Sequence, residues 1–194
     1  MTAQIDLEAA GDALLATLAG VTDADLELTT PCSGTTVAEL LQHLVGLTLG
    51  LRATAEKELG VLTDTSPDAD GWPALEPGWR PALERQVPAL AQAWREDDAW
   101  QGMTRAGGVE LPGAVAGLVA LDELVLHGWD LARATGQDYR PDEATAAACL
   151  AFVEGFDTAG TPGLFGPAVP VDDGAPLLDR LVARAGRDPG WSAG

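Results

Sequence analysis

The chain of 194 residues contains two histidines, His43 and His127, and both fall inside long helical patterns. Glu123 precedes His127 by one helical turn, and residues at i and i+4 stack on the same helix face. The Glu123 carboxylate and the His127 imidazole therefore point the same way, at a spacing one metal ion can bridge. His43 lies in LLQHLVG, on a different helix. If the two helices pack side by side, the three residues offer two nitrogens and one oxygen to a single point. That donor set suits a divalent first-row ion, zinc first, with nickel or iron as alternatives. Three protein ligands leave a coordination position open, as catalytic sites do. The ordinary reading is that each histidine is a half-buried helix residue and that Glu123–His127 is a helical ion pair. Against it, Leu40, Leu41, Leu44 and Leu47 place His43 near the buried face. A buried imidazole and a buried carboxylate are each costly alone, and a shared cation resolves both.

Other residues around these carry weaker signals. Asp130 is roughly cofacial with His127 and reads either as an acceptor orienting an imidazole N–H or as a helix-packing partner. Arg133 reads as a contact for an anionic substrate or as an ion pair with Asp130. Cys32 precedes a helix cap and reads as a buried structural thiol rather than a ligand. Trp129 fits a pocket wall and a core position equally well. Trp72 and Trp79 flank a Pro/Gly-rich loop where a lid could form.

The elements that must position these groups are helical. Ile5, Leu7, Ala10, Leu14, Leu15 and Leu18 recur at spacings of three and four before a stop at Gly20. Thr36 and Glu39 form a capping-box pattern that opens a second helix, expected to run to Gly60. Residues 61–78 read as a loop. A third helix is expected from Pro81 to Arg95, kinked or split at Pro88. Residues 100–112 read as extended, with a Gly-Gly turn. Further helices are expected from Pro112 to Gly136, from Pro141 to about Phe156, and from Pro176 to Ala185. The pattern predicts an all-α fold: a four-helix, up-and-down core with an extra C-terminal helix and a short extended segment near 100–111. One domain spans 1–194, with about 186–194 as a frayed tail.

Lys plus Arg is 11 and Asp plus Glu is 30, so the formal charge is −19. Such a field repels phosphate backbones and anionic lipid, which argues against nucleic-acid or membrane partners. Two cysteines are too few for a disulfide scaffold. The first ten residues lack a basic signal-peptide region and no long apolar run occurs, so a cytoplasmic location is expected.

TPCSGTTVAELLQHLVG (Thr30–Gly46) and DELVLHGWDLARATGQ (Asp122–Gln137) resemble the two signature segments of the DinB-like proteins. More narrowly, they resemble the actinobacterial branch related to the N-terminal domain of mycothiol-dependent maleylpyruvate isomerase. The stretch Phe165–Pro189 is similar to the end of that branch. The resemblance implies a four-helix bundle holding a divalent metal at one end, with His43, Glu123 and His127 as ligands. It also implies a low-molecular-weight thiol such as mycothiol as cofactor, a small-molecule substrate and a homodimer. Thr35 stands where the family usually has tryptophan, which predicts looser packing there. The isomerase's additional C-terminal domain has no room in this chain, so its own reaction does not carry over.

Three functions follow as expectations: a metal- and thiol-dependent S-transferase or isomerase, a non-catalytic metal-binding or sensor protein, and a metal-dependent hydrolase.

Overall fold

Leu7, Ala10, Leu14 and Leu18 are all buried, because their spacing lines one face of α1 (Glu8–Gly20). The computed structural model describes residues 5–65 and 74–193. After α1 come α2 (Val37–Glu56), α3 (Val61–Asp64), α4 (Trp79–Ala93) and α5 (Asp97–Trp100). A hairpin, β1 (Met103–Ala106) with β2 (Val109–Pro112), leads into α6 (Gly113–Ala134), and α7 (Glu143–Val153) and α8 (Leu177–Arg184) follow. The chain is therefore mostly helical among the described residues, as the periodicity implies.

The second helix starts where its cap predicts. The Thr36 hydroxyl accepts from the Glu39 backbone N–H at 3.3 Å, and the Glu39 carboxylate accepts from the Thr36 N–H at 2.8 Å. It ends earlier than Gly60: Lys57 turns left-handed at φ 56° and stops it. Proline at position 88 neither splits nor ends α4. Its ring faces solvent, where water can satisfy the carbonyl left without a donor one turn earlier. The hairpin turns through Gly107 and Gly108, both at positive φ, and pairs Thr104 with Leu111 and Arg105 with Glu110.

The four long helices do not follow one another around the bundle. α1 and α2 each pack against both α4 and α6, so α1–α2 and α4–α6 are the diagonal pairs. This departs from a simple up-and-down ring, where successive helices are neighbours. The apolar loads explain it. α6 is buried on nearly every face, from Ala116 to Ala134, because α1, α2, α5, α7 and the hairpin all pack on it. The C-terminal addition is also larger than one helix: α7 lies on α6 and α8 lies on α7.

The stretch after α8, expected to fray over 186–194, is instead tied down from Arg187 to Trp191. Arg187 is buried and bonded to Asp130, Arg133 donates to the Trp191 carbonyl, and the Trp191 ring packs on the core. Its glycine and proline content reads as a tail, but two arginine contacts hold it against α6.

Because the Thr36 hydroxyl accepts from an orphan N–H of α2 and donates to the Glu39 carboxylate, Thr36→Ala should lower stability by about 1 kcal/mol. Urea unfolding should show a lower midpoint with an unchanged slope.

Candidate metal centre

His43 sits two turns into α2 with its ring toward α6, and Glu123 and His127 rise from α6 to meet it. The His127 Nε2 lies 2.8 Å from Glu123 Oε2, and the His43 Nε2 lies 3.9 Å from the same oxygen. The two imidazoles meet edge to face, with ring centroids 5.1 Å apart. One donor atom from each of the three residues falls within 4.8 Å of the other two. A zinc ion with bonds of roughly 2.0–2.2 Å needs donors about 3.3 Å apart, so side-chain adjustments of about an ångström suffice. His43 and His127 side chains are 11% and 8% exposed, whereas Glu123 is 25% exposed, so the cluster opens to solvent beside the carboxylate.

On its far side His127 presents Nδ1 to Asp130 Oδ2 at 3.1 Å. Its ring thus lies between two carboxylates, and donating to both requires the imidazolium. Burial alone would push its pKa down, but hydrogen bonds to Asp130 and Glu123 overcome that and raise it to about 10. Burial likewise works against ionised Glu123, yet the flanking His127 and then His43 hold its carboxyl well below the usual range. Asp130, fully buried, stays ionised because the Arg187 and His127 charges outweigh its desolvation. Asp122, next to Glu123 on the chain, has the opposite fate. Burial first, and then the Glu123 charge, push its carboxyl well up.

Sequence reasoning singled out His43, Glu123, His127 and Asp130, and the structure brings all four together. Arg133 lies elsewhere: it donates to the Trp191 carbonyl, with its guanidinium 5.9 Å from the Trp129 ring. Its partner is thus the C-terminal segment rather than Asp130. Trp129 is buried in the core. Trp79 opens α4 and stacks under Arg80 at 4.4 Å, and Trp72 lies outside the described residues.

Two members of the cluster's surroundings were missed. Arg187 bonds Asp130 from a segment 57 residues away, which no local pattern signals. Cys32 is half-buried rather than enclosed, and its sulfur lies within 4.8 Å of donor atoms on His127 and Asp130. Thr35 explains its placement. Thr35 is buried, its hydroxyl is 2.6 Å from that of Thr30, and it donates to the Cys32 carbonyl at 2.7 Å. The expected loosening is absent at this position because the hydroxyl pair fills and satisfies it.

The helical bundle, with its one small hairpin among the described residues, is a DinB-like fold. Residues 7–132 match the model of the mycothiol maleylpyruvate isomerase N-terminal domain, and the chain belongs to that family. It is 32% identical, over 92% of its length and 93% of theirs, to uncharacterized proteins of Mycobacterium tuberculosis strains CDC 1551 and H37Rv. Crystal structures of mycothiol-dependent maleylpyruvate isomerase and of a histidine-to-alanine variant share the fold. The TM-scores are 0.59 and 0.60 at 20% and 19% identity, over 76% of this chain and 68% of theirs. No described helix is long and apolar enough to cross a membrane.

In the metal-free protein, the raised pKa of His127 makes it a stabilising cation. That contribution is complete below the unfolded value of 6.5 and is lost as pH climbs through about 10. An NMR titration should show the His127 ring protonated well above pH 7, and Glu123→Gln should move its midpoint down.

Proposed function

We propose that the chain is a metal-dependent enzyme that activates a low-molecular-weight thiol, of the mycothiol type, for transfer to or isomerisation of a small electrophile. The observation that carries this reading is the convergence of His43 Nε2, His127 Nε2 and Glu123 Oε2 beside a solvent-facing opening. The isomerases that share the fold are described as mycothiol-dependent, which supports a thiol as the partner.

The donor set fits zinc, with nickel or iron as alternatives. A dication held there supplies a Lewis acid that lowers the pKa of a coordinated thiol and holds its anion. The chain's own residues do the rest. Glu123 contributes the one negative charge among the three donors. Asp130 accepts the Nδ1 proton of His127, fixing the tautomer that leaves Nε2 free to bind. Leu40 and Leu44 on α2 and Leu124 on α6, the two helices that carry the donors, are fully buried. The exposed edge of Glu123 leaves the approach open to a small substrate.

Purified protein loaded with zinc should hold it near one equivalent, and His43→Ala should lose it while staying folded. Adding a small thiol to the Co²⁺ form should produce a thiolate charge-transfer band. No uptake by the wild type overturns the metal reading, and uptake with no band from any thiol overturns the thiol reading. Because binding must displace the Nε2 proton of His127, zinc affinity should rise about tenfold per pH unit below about pH 10. Chelator competition across pH 6–9 measures it.

A further inference from the structure

α8 ends in a Schellman turn: the Gly186 N–H donates to Ala183 O at 3.1 Å, and the Arg187 N–H to Val182 O at 2.9 Å. Gly186 holds φ +86°, and a Cβ there would come within 2.7 Å of the Gly166 backbone. Glycine is required on both counts. The turn throws Arg187 inward, where it is buried. Its Nε lies 3.3 Å from Asp130 Oδ1 and its Nη2 lies 3.0 Å from Asp130 Oδ2, while Nη1 donates to Ala185 O at 3.1 Å. A two-pronged contact of this kind fixes the plane of a carboxylate, which a point charge cannot do. The fixed Oδ2 is the atom that accepts from His127 Nδ1.

We infer that Arg187 is a positioning residue for the metal centre: through Asp130 it sets the ring orientation of His127, so the centre is complete only when the C-terminal turn is docked. The contact runs from the turn after α8 to Asp130 on α6, and its arginine lies beyond the residues matched to the family domain. Partners that orient a ligating histidine commonly change metal affinity ten- to a hundredfold when removed. This inference rests on the reading of His127 as a ligand.

The test uses the full chain and zinc or Co²⁺ alone. Arg187→Met should weaken zinc binding about ten- to a hundredfold in chelator competition and alter the Co²⁺ visible spectrum. Arg187→Lys, which restores charge without the fork, should recover part of the affinity; it also serves if the methionine variant does not fold. Arg184→Met is the structural control. It removes contacts to the Glu154 and Phe156 carbonyls that hold α8 to the end of α7. It should lower the thermal midpoint and leave zinc affinity and spectrum unchanged. A folded Arg187 variant with wild-type affinity and spectrum overturns the inference while leaving the metal reading intact. So does an Arg184→Met variant that loses as much affinity as Arg187→Met. A wild type that takes up no zinc overturns both.

Discussion

Glu123, His127, Asp130 and Arg187 follow one another through the interior as anion, cation, anion and cation. The charges on His127, Asp130 and Arg187 would not be stable there alone, since each loses its water on burial. Alternation is what keeps them ionised, and it is why Asp122 has its carboxyl pushed up while Asp130 has its held down. The difference is one of partners: Asp130 touches both the imidazole and the guanidinium, and the Asp122 Oδ1 is buried without a hydrogen-bond partner. Breaking such a series at any member leaves its neighbour uncompensated, at a cost of about 3–5 kcal/mol in comparable buried pairs. His43 joins the series from α2 at Glu123, so the bundle interface and the ionic series share that carboxylate.

The packing around the series serves the same end. α2 must lie against α6 for His43 to reach Glu123, and the diagonal arrangement of the bundle makes these two direct neighbours. The hydroxyl pair of Thr30 and Thr35 fixes the turn before α2, and that turn places Cys32 beside His127 and Asp130. A thiol so near the candidate centre is part of its surroundings rather than core filling.

Much of the site was legible because its signal is local. Glu123 and His127 share a helix face by spacing alone, Asp130 falls one turn beyond, and His43 is the one other imidazole in the chain. The helices were legible for the same reason: periodicity and a capping box are short-range. What escaped was long-range. The order of helices in the bundle depends on which faces are most apolar in three dimensions. The Arg187–Asp130 contact spans 57 residues, and the glycine that aims it looks, in sequence, like the start of a loose tail. Arg133 differs from its expected pairing with Asp130 for the converse reason. Its neighbours in sequence suggested a local partner, and the fold supplied a distant carbonyl.

The enclosure of α6 also bears on how the protein opens. A helix covered by α1, α2, α5, α7 and the hairpin has no route out that leaves the others in place. Its amides should exchange with solvent deuterium only through whole-molecule unfolding, while those of the partly solvated α8 exchange through smaller fluctuations. Two of the three donors ride on that enclosed helix, and the guanidinium that steadies one of them sits just past the more solvated α8.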